Sequence, residues 1–413
     1  MRFALAFLLC LAISQVHAKP ASAAASHRGH YLFAWTGDAA GHGNDFLAVI
    51  DADPASPTYG RLMATLATHQ QTKLVHHTEY VMPPGGMLFA SDYGAGRTFL
   101  FDLRNPLHPQ VAATFLDIDG FSDPHSYVRL PNGHVLVTFQ HTRNTDPAIA
   151  LHSGALVELD AKGNFVRASS TADTAFPHAL LVPYSLVVLP ALDRVVSTNS
   201  AMDIRDGYGT TYQVWRLSDL KLLKTLFFDP GPDRYGNDDP EEPRLAPDGS
   251  ILVQTFSCGL QRITGIRSGH PRAKLVYTFL GGGCGVPTVV GHYLIDSDRL
   301  THGLIVLDIS DAAKPVEASR LSLPSDYSPH WTGWDASTQR LVVTPNADSS
   351  SHRLYLLKFN QTTGSLAIDT AFHDKQGKPG FNFDNRTWLL GPLGPNFWTG
   401  SGAPHGVVFS RND

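Results

Sequence analysis

The stretch VHHTEYVMPPGGMLFASD, residues 75–92, places two adjacent histidines ahead of an apolar run, a Pro-Pro-Gly-Gly turn and a second apolar run. Short apolar runs on either side of a glycine turn are the pattern of a β-hairpin. In this hairpin His77 stands eight residues ahead of Gly85. The same form recurs at residues 123–140, DPHSYVRLPNGHVLVTFQ, and at residues 239–256, DPEEPRLAPDGSILVQTF, with His125 and Glu241 at the same offset from Gly133 and Gly249. A looser copy, SPHWTGWDASTQRLVVTP at residues 328–345, carries His330. Residues that recur at one strand position of repeated units surround a common axis when the units are arranged radially. The spacing therefore predicts His77, His125, Glu241 and His330 around one channel.

Working outward, each of these hairpins is followed by two further short strands, in units of about the 40–50 residues of a propeller blade. The third strand repeats most clearly, as FLFDLRNPLHP (residues 99–109), LIVLDISDAAKP (304–315) and, less closely, VWRLSDLKL (214–222). The fourth unit offers two candidates for its inner position, His178 and Ser185, and the turn spacing favours Ser185. The first unit shows only three strands, in residues 30–36, 46–50 and 61–67, so its missing inner strand is expected from residues 404–410 (PHGVVFS). The expected fold is an all-β, seven-bladed β-propeller over residues 29–413, closed by its C-terminal strand. Such closure leaves no free sheet edge.

Composition fits a turn-rich fold, with 36 glycines and 28 prolines in 413 residues. The formal net charge of -5 with 32 Lys+Arg gives no broad basic field, so nucleic acid is not an expected partner. Residues 1–18 read as a cleaved secretory signal, with Arg2, an apolar stretch over residues 3–13 and a small-residue site at residues 16–18. That stretch is short of the ~20 residues a span requires, and no other segment is a membrane-span candidate. Residues 19–28 read as an Ala/Ser-rich lead-in, and the destination is periplasmic or secreted. The mature chain keeps Cys258 and Cys284; an oxidising compartment favours their pairing between neighbouring units, and two separate buried thiols are the alternative.

FLAVIDADPASPTYGRL, the HHTEY stretch, DPHSYVRLPNGHVLVT, YQVWRLSDLKLLKTL and APHGVVFS resemble the selenium-binding protein family, including its methanethiol-oxidising members, from about residue 31 to residue 409. The resemblance implies a seven-bladed propeller with a copper centre in its channel. In the oxidase members it implies conversion of methanethiol, oxygen and water to formaldehyde, hydrogen sulfide and hydrogen peroxide. Matched residue by residue, it places copper ligands at His76, His77, His125 and His405, with Glu241 and His330 close behind as candidate catalytic residues. Residues 81–92 contain no cysteine, so selenium binding does not carry over, and residues 236–328 depart most from the family pattern.

Independently of the resemblance, neutral imidazoles suit Cu(II), whereas Ca²⁺ and Mg²⁺ take oxygen ligands. Adjacent side chains on a regular strand point to opposite faces, so His76 and His77 both reach the axis only from a loop or a bulge. Glu79 and Asp123 flank the ligand candidates and are either supporting acceptors or surface groups. The primary reading is an exported copper oxidase of a small thiol, using oxygen and a copper-delivery partner. The alternative is a non-catalytic propeller that binds a metal or a protein. A lactonase-type propeller fits less well because its metal is held by oxygen ligands.

Overall fold

A computed structural model describes residues 29–142, 152–202, 207–389 and 397–411. The expected signal segment and lead-in, residues 1–28, lie outside the described residues. Seven antiparallel sheets form a ring, and each has four strands along its main path. Blade I is built from both ends of the chain: Gly402–Phe409 pairs with Tyr31–Asp38, which continues to Asn44–Asp51 and Leu62–Gln71. Blades II to VII begin at the axis with Val75–Thr78, Phe121–Arg129, Pro183–Leu189, Pro240–Leu245, Thr288–Val290 and Pro329–Asp335. A further hairpin, Arg386–Leu389 with Phe397–Gly400, lies outside the blade path.

The middle strands are almost wholly apolar because both of their faces are covered by neighbouring blades. Phe46, Leu47, Val49 and Ile50 in blade I, and Leu304, Ile305, Val306 and Leu307 in blade VI, are completely buried. The outer strands alternate instead, as in Gln110–Phe115, because one face meets solvent. Among the described residues no helix is long and apolar enough to cross a membrane.

Cys258 and Cys284 form a disulfide with Cα atoms 5.2 Å apart. Cys258 leads into the third strand of blade V, and Cys284 bridges to Asp298 of blade VI, so the bond joins two blades. The bond closes a span of 26 residues. Its loss is expected to cost about 3 kcal/mol from loop closure. Thermal unfolding of Cys258→Ala/Cys284→Ala, compared with the oxidised, disulfide-bonded wild type, checks this, and an unchanged midpoint would contradict it.

Candidate metal centre

Six of the seven axial strands carry the same irregularity. In blades II, III, IV, V and VII two residues of the inner strand stand opposite one residue of the second strand. The pairs are His76-His77, His125-Ser126, Tyr184-Ser185, Glu241-Glu242 and His330-Trp331. Blade I shows the same shift at His405-Gly406, opposite Trp35. Such a bulge swings two consecutive side chains toward one side. This is how adjacent histidines both reach the channel. Five of the six pairs follow a proline, Pro124, Pro183, Pro240, Pro329 or Pro404, a residue that has no N–H to give to a ladder.

In blades III, IV and V the second strand supports the bulge and ties it to the next blade, and in blades VI and VII it reaches an axial carbonyl of the next blade. Thr138 Oγ1 accepts the Ser126 N–H at 3.0 Å and donates to the Tyr184 carbonyl at 2.8 Å. Thr198 does the same for the Ser185 N–H and the Glu241 carbonyl, at 3.2 and 2.6 Å. Gln254 accepts from the Glu242 N–H and donates to the Gly285 carbonyl. Ser297 and Thr344 donate to the carbonyls of His330 and His405, at 2.7 and 2.9 Å. These bonds run from blade to blade, from blade III round to blade I.

These pairings sort the axial residues into two rings. The first members, His76, His125, Tyr184, Glu241, His330 and His405, form one ring, and the second members form another beneath it. The hairpin offset equates His77 with His125, but the sheet register equates His76 with His125. Thr78 pairs with Ala90, twelve residues on, whereas Tyr127 pairs with Val137, ten on. The longer Pro-Pro-Gly-Gly turn shifts the count. In blade IV the first-ring residue is Tyr184, with Ser185 below it, and His178 is exposed away from the axis.

Histidines fill the first ring over four consecutive blades, VII, I, II and III. Ring centroids lie 4.8 Å apart for His330–His405, 4.2 Å for His405–His76 and 4.6 Å for His76–His125. His77 lies beneath, 4.3 Å from both His76 and His125. Ligating nitrogens of His76, His77 and His405 all fall within 4.8 Å of one another, and His125 flanks that group. Gly406 permits the approach, since a Cβ there would stand 2.6 Å from the Thr78 nitrogen and 2.9 Å from the His76 carbonyl.

Each of these four imidazoles keeps one buried nitrogen without a hydrogen-bond partner: Nδ1 of His76 and His405, and Nε2 of His77 and His125. Unpaired buried polar atoms are costly and rare. His125 Nδ1 donates to the Tyr184 carbonyl at 2.8 Å, which leaves Nε2 as a lone pair. His77 Nδ1 meets Ser126 Oγ at 3.0 Å, and that hydroxyl lies 3.5 Å from Glu242 Oε1. Burial, followed by the proximity of the other histidines, holds His76 and His77 well below the ordinary imidazole value. Burial also lowers His405 strongly, His125 to about 3 and His330 to about 4. Four neutral nitrogen donors converging in this way fit a metal ion with nitrogen preference.

The carboxylate that touches the cluster belongs to Glu242, with Oε1 3.6 Å from His77 Nδ1. Glu241, expected close behind the ligands, instead accepts from Gln254 Nε2 at 2.7 Å, and burial raises it well above the usual carboxylate range. Glu242 accepts from Ser185 Oγ at 2.5 Å and pairs with Arg244 at 3.2 Å. Arg244 lies 4.1 Å over the Tyr80 ring, which stacks on Trp331 at 4.9 Å, and Trp331 meets His77 edge-on at 5.0 Å. These residues close the lower end of the cluster. The recurring proline followed by a pair of axial residues was the signal for Ser126, Tyr184, Glu242 and Trp331. Counting one polar residue per hairpin passes over them.

Glu79 and Asp123 serve the blades. Glu79 takes two bonds from Arg129 across blades II and III and one from the Phe89 N–H. Asp123 accepts from His141 Nδ1 at 2.9 Å and from Ser122.

Methanethiol oxidase from Hyphomicrobium sp is 32% identical over 139 aligned residues, 31% of this chain and 31% of that protein. Over that stretch the chain is a homologue of methanethiol oxidase. The match thus spans about a third of each chain. No family model matches the sequence. Among solved structures, a hypothetical selenium-binding protein from Sulfolobus tokodaii superposes with a TM-score of 0.68 at 16% identity, covering 92% of this chain and 94% of its own. The periplasmic gluconolactonase of Pseudomonas aeruginosa gives 0.63 at 12% identity, over 92% and 99%. Both share the propeller architecture, which hosts unrelated chemistries, so the site carries the functional reading.

Proposed function

We propose that this protein is an exported, copper-dependent oxidase of a small thiol, with methanethiol, oxygen and water as substrates and formaldehyde, hydrogen sulfide and hydrogen peroxide as products. The observation that carries the reading is the convergence of four buried imidazoles, each with a partnerless nitrogen, in a homologue of methanethiol oxidase. His76, His77, His125 and His405 would hold the metal. Bound copper supplies the redox chemistry that couples thiol oxidation to oxygen reduction.

The chain's own residues prepare the site. The Tyr184 carbonyl fixes the His125 tautomer, and the Ser126–Glu242 pair orients His77, as groups behind a metal ligand do. Glu241 acts at one remove, by holding Gln254, which accepts the Glu242 N–H. His330 stands beside His405 on the open side, near Arg299 and Asp348, where it is placed to handle protons. Trp331 and Tyr80 keep water from the lower end. The Cys258–Cys284 disulfide is of the kind an oxidising compartment favours, which supports export.

Metal analysis of protein from the exported fraction, followed by a peroxide assay with methanethiol, tests the reading. One copper per chain and methanethiol-dependent peroxide are expected. A metal-loaded protein that produces none would instead be a binding module.

The depressed histidines make a second prediction. Because burial keeps them deprotonated well below the ordinary imidazole value of about 6.5, copper uptake should release almost no protons between about pH 6 and 7.5. Calorimetry in buffers of different ionisation enthalpy measures this. Release of one or more protons per ion near pH 6 would contradict it.

A further inference from the structure

A cavity of about 260 Å³ opens among the loops above the first ring, and its wall includes both His405 and His352. Leu74, Val75, Pro345 and Ala347 give it apolar wall beside the polar Thr72, Lys73 and Asn346, and the space has room for a small molecule. His352 belongs to none of the axial strands. Its Nδ1 donates to Asp384 Oδ1 at 2.7 Å, and the other oxygen of that carboxylate accepts the His352 backbone N–H at 3.2 Å. The ring is therefore held in one tautomer. Its Nε2 retains a lone pair and takes no hydrogen bond among the described residues. The other titratable groups on this wall are Lys73, Asp38 and His405, and Asp38 is committed to the backbone N–H groups of His42 and Gly43.

We propose that His352, oriented by Asp384, is the base that takes the proton of the thiol entering this cavity. The proposal rests on the oxidase reading above. A thiol is mostly protonated at neutral pH, since an unperturbed cysteine titrates near 8.5, yet the metal ligand and nucleophile is the thiolate. The lone pairs of the four clustered imidazoles are committed to the metal in that reading, and His330 is not among the residues that line this cavity, so the proton of a thiol held here needs another acceptor. The S–H bond breaks, the Nε2–H bond forms, and sulfur keeps the electron pair as it moves toward the histidine cluster. The Asp384 carboxylate stabilises the resulting imidazolium, and the proton leaves to solvent at the mouth. His352 is thus a catalytic residue and Asp384 its positioning residue.

His352→Gln should lower kcat/KM for methanethiol at neutral pH by about 10²-fold, in the range of general base catalysis. Copper content should be unchanged, and the deficit should shrink at alkaline pH, where thiolate is free in solution. Asp384→Asn should give a smaller loss, about tenfold, with the same dependence on pH. In the metal-free protein, ¹⁵N NMR should find His352 as the Nδ1–H tautomer. An Nε2–H tautomer, or a His352→Gln deficit that does not vary with pH, would overturn the assignment while leaving an active oxidase. A wild-type protein that binds copper but does not turn over methanethiol would overturn the oxidase reading, and with it this role of His352.

Discussion

Replacing His405 by alanine is expected to lower copper occupancy and methanethiol-dependent peroxide formation as far as replacing His125 does, by about 10²-fold or more. His405 comes from the last strand of the chain and His125 from the third blade, yet both rings pack against His76, at 4.2 and 4.6 Å. Each removes one of four nitrogens that have no other partner. The set suggested by hairpin spacing alone, His77, His125, Glu241 and His330, makes a different forecast, with His405 dispensable and Glu241→Gln damaging. The geometry separates the two. Glu241→Gln keeps an acceptor for Gln254 and is expected to change metal content little, whereas Glu242→Gln weakens the group that orients His77 and pairs with Arg244. Copper quantification on the four variants decides between the sets; full occupancy in His405→Ala would exclude the proposed ligands.

A chain ending before Gly402 is expected not to fold. The last strand is the inner strand of blade I, and Val407, Val408 and Phe409 on it are buried against blades I, II and VII. Full burial of such side chains is worth about 1.5–3 kcal/mol each. Three of them together approach a total folding free energy of about 5–15 kcal/mol, before the lost strand pairing with Tyr31–Asp38 is counted. Near-ultraviolet circular dichroism and limited proteolysis of the truncated chain provide the measurement, and restoration by a peptide of residues 402–413 provides the control. Native-like dichroism and a sharp melt in the truncated chain would show that the ring does not depend on its closure.

The blades were legible in the sequence because a strand buried on both faces must be apolar and its turns must be Gly, Pro, Asn or Asp, as in the second strand of blade II and the turn before it. The closure was legible too, since three strands without a fourth leave an edge unpaired. Which histidine matched which was not. An offset counted from a turn is reliable only when turns have equal length and strands have no bulge. In blade II the Pro-Pro-Gly-Gly turn is longer, and every hairpin in the comparison carries a bulge. Register is set by hydrogen bonds between strands, so the pairing of His76 with His125, and of His77 with Ser126, emerged only from the folded sheet.

The sequence by itself determined the repeat and the prolines that open five of the six bulges, because local backbone preferences act over a few neighbouring positions. The tertiary structure alone decided which of those residues share a ring and which nitrogens lack partners. It alone decided that Glu242 rather than Glu241 meets His77, and that His352, held by Asp384, stands over the same opening as His405. Those relations join residues up to 329 positions apart, from His76 to His405. No local pattern carries them, because they depend on the rotation of one blade against the next around the axis.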